Sequence, residues 1–280
     1  MNISVIGGDL RQLTLAGLLK EEGFNVKIAG FSKGPDESLP DPSDIWESEI
    51  LILPIPASND GKTVNAPFSK DPIQLTPETL KGKTLVLGGN ISKELRELFD
   101  RTGVKYIDYL TREELLIKNA IPTAEGALEI AFSEMPITLS SAKSLIVGFG
   151  RIGKILAKML SGIGSDVTIS ARKCSDLAWI SSLGYSALEN FNLENNINKF
   201  DVIFNTAPAL VLDRDILKKV NPDTLIIDLA SKPGGVDFKT AGDLGLKVIW
   251  SLGLPGKVAP ITSGKIIKDT VINILNEMGV

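Results

Sequence analysis

Histidine is absent from all 280 residues, and this absence restricts function more than anything else in the composition. It excludes a Ser-His-Asp triad, a His-ligated metal and the histidine acid/base of many hydroxy-acid dehydrogenases. Proton transfer must fall to Asp, Glu, Lys, Tyr, Cys or water. No clustered motif suggests a carboxylate metal site, so no metal is expected. Cys174 is the only cysteine, which excludes an intrachain disulfide. It is expected in a loop, as a partly buried bystander or, beside Lys173, as a low-pKa nucleophile. Aromatic residues are only 6% of the chain and are assigned to packing. There is no excess of positive charge: the formal net charge is -4 and the pI about 5.1. Such a chain carries no electrostatic footprint for nucleic acid or an anionic membrane. No uncharged apolar run approaches the ~18 residues of a membrane span. No charged segment followed by an apolar one precedes the first strand pattern, so no signal peptide is expected. A cytoplasmic location follows.

What is present is a regular alternation of short β-branched runs and helical patterns. Strands are expected at Ile3–Ile6, Val26–Ala29, Ile50–Pro54, Thr84–Leu87 and Lys105–Asp108. A second series covers Ser144–Val147, Asp166–Ser170, Val202–Asn205, Thr224–Asp228 and Lys247–Ile249. Near-continuous apolar strands alternating with helices argue for parallel sheets covered on both faces. Because the series restarts, the expected fold is α/β: two doubly wound parallel-sheet domains, the second a Rossmann fold, joined by a long helix from Thr111 to about Met135. The expected boundaries are 1–135 for a flavodoxin-like substrate domain and 136–262 for a dinucleotide-binding domain. A C-terminal helix at 263–280 is left without an assigned packing partner. Pro136 and Ser140-Ser141 suit a linker, and Ser32–Asp44, with three prolines, reads as a surface loop.

The strand Ser144–Val147 runs directly into Gly148-Phe149-Gly150-Arg151-Ile152-Gly153. Apolar residues at 152, 155, 156, 159 and 160 then mark one face of a helix. In this context the three glycines have distinct tasks. The first makes a tight turn, the second lets the backbone approach a pyrophosphate, and the third packs helix on strand. The unpaired N–H groups at the helix start favour an anion. Gly148, Phe149, Gly150, Arg151 and Ile152 are therefore candidate cofactor residues. After the next strand comes Ser170-Ala171-Arg172-Lys173, with no acid to accept from a ribose 2′-OH. Two cations there suit a 2′-phosphate, so NADP is favoured over NAD; otherwise both cations are simply solvated. Gly7-Gly8-Asp9 lacks the third glycine and carries an acid. It reads as a strand-to-helix turn, or as part of a substrate site through Arg11.

Further segments carry a resemblance: Gly7–Gln12, Asn119–Gly126, Asn205-Thr206-Ala207-Pro208, Asp228-Leu229-Ala230-Ser231 through Gly235, and Gly253–Pro260. Together they resemble the A-subunit family of dipicolinate synthase, a sporulation enzyme, over nearly the whole chain. The D-hydroxy-acid dehydrogenase and S-adenosylhomocysteine hydrolase group is a looser likeness. The resemblance implies oxidation of dihydrodipicolinate, or its hydrated tetrahydro form, to pyridine-2,6-dicarboxylate, with hydride passing to NADP or NAD. It also implies the flavoprotein-like B-subunit of dipicolinate synthase for a partner, and the mother-cell cytoplasm of a sporulating bacterium. A homo-oligomer is expected.

Within that frame Asn205 to Pro208, Asp228, Leu229, Ala230 and Pro255 are expected along the nucleotide path. Asp228 has a second reading as a cap or turn acid. A dianionic substrate needs cations and donors. Arg11 and Lys257 are candidates, with Arg11 equally readable as part of a solvated helix face. Ser58 and Asn59, beside Asp60, are expected at the C-terminal edge of the first sheet. Thr123 and Glu125 are expected on the linking helix at the cleft. Glu125 is the candidate acid/base, or else an interdomain salt-bridge partner. The competing readings are another NADP-linked two-domain dehydrogenase and a dinucleotide-sensing protein without catalysis.

Overall fold

A computed structural model describes residues 1–33 and 41–279. Most of the proline-bearing Ser32–Asp44 stretch lies outside the described residues.

The chain forms two compact units. The first comprises Met1–Asn119 with Ala259–Val280, the second Ala120–Val258. In the first, β1 (Asn2–Ile6), β2 (Asn25–Ala29), β3 (Ile50–Ile52), β4 (Leu85–Gly88) and β5 (Lys105–Asp108) make one parallel sheet of order β2-β1-β3-β4-β5. Helices α1 (Leu10–Glu21), α2 (Pro77–Leu80) and α3 (Lys93–Thr102) cover it, followed by α4 (Glu113–Glu134), which carries the chain into the second unit.

Consecutive apolar residues of these strands alternate between two cores, which is why the strands read as unbroken hydrophobic runs. Ile50 and Ile52 pack with Leu15 and Leu19 of α1. Leu51 and Leu53 pack with Leu95 and Phe99 of α3 on the opposite face.

The second unit holds β6 (Lys143–Val147), α5 (Arg151–Gly162), β7 (Asp166–Ala171), α6 (Cys174–Ser182), β8 (Ser186–Glu189) and β9 (Val202–Asn205). After these come α7 (Arg214–Leu217), β10 (Leu225–Asp228), α8 (Phe238–Asp243), β11 (Val248–Trp250) and α9 (Leu254–Val258). Its parallel sheet runs β11-β10-β9-β6-β7-β8, the dinucleotide-fold order.

The expected second series lacked β8. Ser186-Ala187-Leu188-Glu189 has no β-branched residue and is an edge strand with only partial burial, so its composition carries no strand signal. Cys174, expected in a loop, is exposed as the first residue of α6.

The boundary between units falls inside α4 rather than after it. Ala124, Ala127, Leu128 and Ala131 pack into the second unit's core, with Leu156 and Leu160 of α5. The last helix, α10 (Pro260–Glu277), starts three residues earlier than its apolar pattern indicated, on a proline suited to a first helical turn. It belongs to the first unit, where Ile267, Val271, Ile274 and Leu275 pack with Leu15 and Leu19. A Cβ on Gly264 would come within 2.6 Å of the Arg11 carbonyl and of Thr14, so this glycine permits the close approach of α1 and α10.

Candidate functional site

The loop after β6 has the geometry that a pyrophosphate requires. Gly148 turns with φ +103, where a side chain is disfavoured, and a Cβ there would also meet Thr206 Oγ1 at 2.8 Å. A Cβ on Gly153 would sit 2.2 Å from the Gly148 carbonyl oxygen, so only glycine brings the helix this near the loop. Gly150 is different. It caps α5 with an ordinary φ of -84, and a Cβ on it would meet nothing within 4 Å. Packing does not demand glycine at 150, whereas the close approach of a ligand would. No side chain caps α5, which leaves its first turn to serve an anion. Phe149 is buried in the core below, with Lys154 Nζ 5.2 Å from its ring centre, and Ile152 packs on the same core. Arg151 is the first residue of α5 and is exposed.

The ends of neighbouring strands frame this loop. The Gly148 amide donates to the Ser170 carbonyl at 2.9 Å. Ser170 Oγ is buried without a hydrogen-bond partner among the described residues. Arg172 and Lys173 follow, exposed, and neither side chain makes an ion pair or hydrogen bond among the described residues. On the other side, Thr206 donates to the Val147 carbonyl from both its amide (2.9 Å) and its hydroxyl (3.0 Å), which ties the end of β9 to the end of β6. Ala207 is half-buried and Pro208 exposed beyond it.

Asn205 and Asp228 have a different part from that expected of side chains along a nucleotide path. Both are completely buried. Asp228 accepts from Asn205 Nδ2 (2.7 Å) and from the amides of Ala230 (3.0 Å) and Gly235 (2.8 Å). The turn-acid reading of Asp228 describes this network. Leu229 and Ala230 are buried beside it, and the Leu229 amide donates to the Asn205 carbonyl at 2.8 Å. These residues hold Thr206–Pro208 in place from beneath.

Glu125 is exposed on α4 and forms no ion pair among the described residues. Its neighbour Gly126 lies so close to α9 that a Cβ would fall 2.9 Å from Leu254. Thr123 is half-buried one turn from this crossing; Pro255 is half-buried and Lys257 exposed on α9 itself.

In the first unit, Gly7 (φ +71) and Gly8 (φ +90) turn into Asp9, which caps α1 and accepts from the Arg11 amide at 3.0 Å. Arg11 is no solvated cation. Nε and Nη2 grip the Asp9 carboxylate, each at 2.8 Å, and Nη2 also reaches the Ile55 carbonyl at 3.3 Å. The site lies between the ends of β1 and β3, where the strand order reverses and open α/β sheets place ligands. Tyr109 donates to the Leu53 carbonyl at 2.7 Å, and burial pushes its phenol far above the usual range.

Ser58 and Asp60 build the adjoining loop. Ser58 Oγ donates to Asp60 (2.9 Å) and accepts from the Gly61 amide (2.9 Å). Amides of Thr63 and Lys62 hold Asp60 well below the ordinary carboxylate range. Asn59 donates to Asn65 Oδ1 at 3.1 Å. The sequence offered no means of distinguishing these scaffold hydrogen bonds from ligand contacts.

No three His, Cys, Asp or Glu side chains gather as a metal site among the described residues. No helix of the described residues is long and apolar enough to cross a membrane.

Comparison with known proteins accords with this geometry. Residues 2–110 match the family of the dipicolinate synthase A-subunit N-terminal domain, and residues 115–277 the alanine dehydrogenase/PNT C-terminal domain family. The dipicolinate synthase A-subunit of Bacillus subtilis is 30% identical over 99% of this chain and 97% of its own length. The crystal structure of the dipicolinate synthase A-subunit from Bacillus halodurans superposes with a TM-score of 0.91 at 31% identity, covering 98% of this chain and 97% of that one. Transhydrogenase from Sinorhizobium meliloti shares the fold, with a TM-score of 0.73 at 15% identity over 98% and 94% of the two chains.

Proposed function

The chain belongs to the dipicolinate synthase A-subunit family, and from that premise we propose that it oxidises dihydrodipicolinate, or its hydrated tetrahydro form, to pyridine-2,6-dicarboxylate with NADP in preference to NAD. The observation that carries the reading is Gly150: a glycine that the protein's own packing does not require, at the uncapped start of α5.

Bound there, the nicotinamide supplies the hydride acceptor. The chain supplies the cradle. Gly148–Ile152 would receive the pyrophosphate, and Thr206–Pro208 and Pro255 would hold the rest of the nucleotide. The Arg172 and Lys173 side chains have no partner among the described residues after β7, where a 2′-phosphate would be met. Arg11, Ser58, Asn59, Thr123 and Lys257 are the proposed substrate contacts. The dihydropyridine loses a hydride and a proton and gains aromaticity, so orientation matters more than strong acid/base help. That suits a chain without histidine. Glu125 is the proposed proton acceptor, through a carboxylate oxygen, and would assist loss of water from a hydroxylated substrate.

The same reading pairs the protein with the flavoprotein-like B-subunit of dipicolinate synthase, in the mother-cell cytoplasm of a sporulating bacterium, as a homo-oligomer. The test mixes purified full-length protein, with and without that partner, with freshly generated dihydrodipicolinate and either nucleotide. Product and reduced nucleotide are followed by absorbance. Turnover that is faster with NADP is expected. Nucleotide binding without turnover under every combination would overturn the oxidation and favour a sensing role.

A further inference from the structure

Asn90 is one of two described non-glycine residues with positive φ, at +52, the other being Ser141. Such a conformation is retained where surrounding structure over-determines it, and it concentrates at functional positions. Here the surroundings are explicit. The Asp108 carboxylate accepts from the Asn90 amide at 3.0 Å and from the Ile91 amide at 2.8 Å, and Arg96 Nη2 stands 3.8 Å from the same carboxylate. The backbone is thus fixed, while the Asn90 side chain is exposed and makes no hydrogen bond among the described residues.

Its position is specific. Asn90 follows β4 at the ligand-bearing edge of the first sheet. Gly89 before it lies so close to Ile55 that a Cβ would fall 2.3 Å from Ile55 Cγ1. Ile55 is also the residue whose carbonyl accepts from Arg11. The residue before Asn90 and the Arg11 guanidinium thus both meet Ile55, which follows β3 beside the β1/β3 switch point. Asp9 occupies Nε and one edge of Nη2 of Arg11, which fixes the guanidinium plane. Nη1 has no hydrogen-bond partner among the described residues, so its two donors remain. Because Asp9 compensates the charge, recognition here depends on directed donors rather than net charge. A planar carboxylate fits such donors better than a spherical anion does.

We propose that Arg11 Nη1 and the Asn90 side-chain amide form a carboxylate clamp on the first unit, which takes one carboxylate of a planar dicarboxylate ligand. The ligand class rests on the proposed function; the clamp's geometry does not.

The test titrates full-length protein with pyridine-2,6-dicarboxylate by calorimetry, comparing wild type with Asn90→Gly. Glycine tolerates the left-handed conformation and removes only the side chain, so the variant should melt at or above the wild-type temperature. The clamp predicts dicarboxylate affinity about tenfold weaker, the scale of one hydrogen bond to a charged group, with NADP affinity unchanged. Wild-type dicarboxylate affinity in Asn90→Gly, or no dicarboxylate binding by the wild type, would overturn it. A tenfold loss in Asn90→Gly alongside absent oxidation of dihydrodipicolinate would uphold the clamp and retire the oxidation alone.

Discussion

Asn205 Nδ2 donates to the Asp228 carboxylate at 2.7 Å, and neither residue is exposed to solvent. The pair joins the ends of β9 and β10 beneath the segment that borders the glycine loop. It also dictates the adjacent glycines: a Cβ on Gly235 would lie 2.2 Å from Asn205 Nδ2, and one on Gly234 2.9 Å from Asp228 Oδ2. Asp228→Ala would leave the buried amides of Ala230 and Gly235 without an acceptor. A loss of roughly 2–4 kcal/mol is expected, since each stranded donor costs about 1–3 kcal/mol. Trp250 reports on this region, because its Nε1 donates to the Ala230 carbonyl at 2.9 Å. Urea unfolding followed by tryptophan fluorescence should show the lowered midpoint; an unchanged midpoint would refute the structural assignment of Asp228.

The second and third glycines of the loop should separate folding from binding. Gly150→Ala adds a methyl group that meets no protein atom, at a φ that alanine accepts. Its melting temperature should stay within about 2 °C of wild type, while nucleotide affinity falls at least tenfold. Gly153→Ala drives a methyl group into the Gly148 carbonyl and should lose stability as well as binding. Calorimetry with NADP, beside thermal melts, distinguishes the two; a Gly150→Ala protein that binds normally would remove the pyrophosphate from this loop.

Much of this arrangement was legible in the sequence. Strand positions followed from apolar runs, because each strand feeds two cores at once. The glycine loop was legible because its three residues obey separate steric demands. Side-chain commitments were not. The bonds that Arg11, Ser58 and Asp228 make to Asp9, Gly61 and Gly235 have no mark in a linear reading and emerge only from the fold. Asn90 carried no signal at all, since its distinction is a backbone angle set by Asp108, eighteen residues away.

Arg172 should decide between the two nucleotides. It is exposed and without a partner among the described residues, so Arg172→Ala should leave stability untouched. A guanidinium on a phosphate contributes a charge-assisted contact that a ribose hydroxyl cannot reproduce. The KM for NADP should rise about tenfold or more, with the KM for NAD nearly unchanged. Equal effects on both would return Arg172 to the solvated surface.

Acid sensitivity should appear at the end of the last helix. Glu277 of α10 makes a two-pronged pair with Arg112, at 2.7 Å to Nη1 and 2.6 Å to Nη2. The hydrogen bonds from Arg112 hold the Glu277 carboxyl below its ordinary value, and Glu114, bonded to the same guanidinium, is lowered for the same reason. A lowered folded-state value means that the pair's contribution is complete above the ordinary glutamate pKa of about 4.3. It is lost as pH falls through the lower, folded value. The pair is exposed, so its effect is small. Glu277→Gln should melt no more than about 2 °C below wild type at pH 7. The two curves should converge toward pH 3, and high salt should narrow the gap at pH 7, since screening weakens an exposed pair. Coincident curves at pH 7 would show that Arg112 contributes nothing to anchoring α10, and a gap that widens on acidification would contradict the lowered Glu277 value.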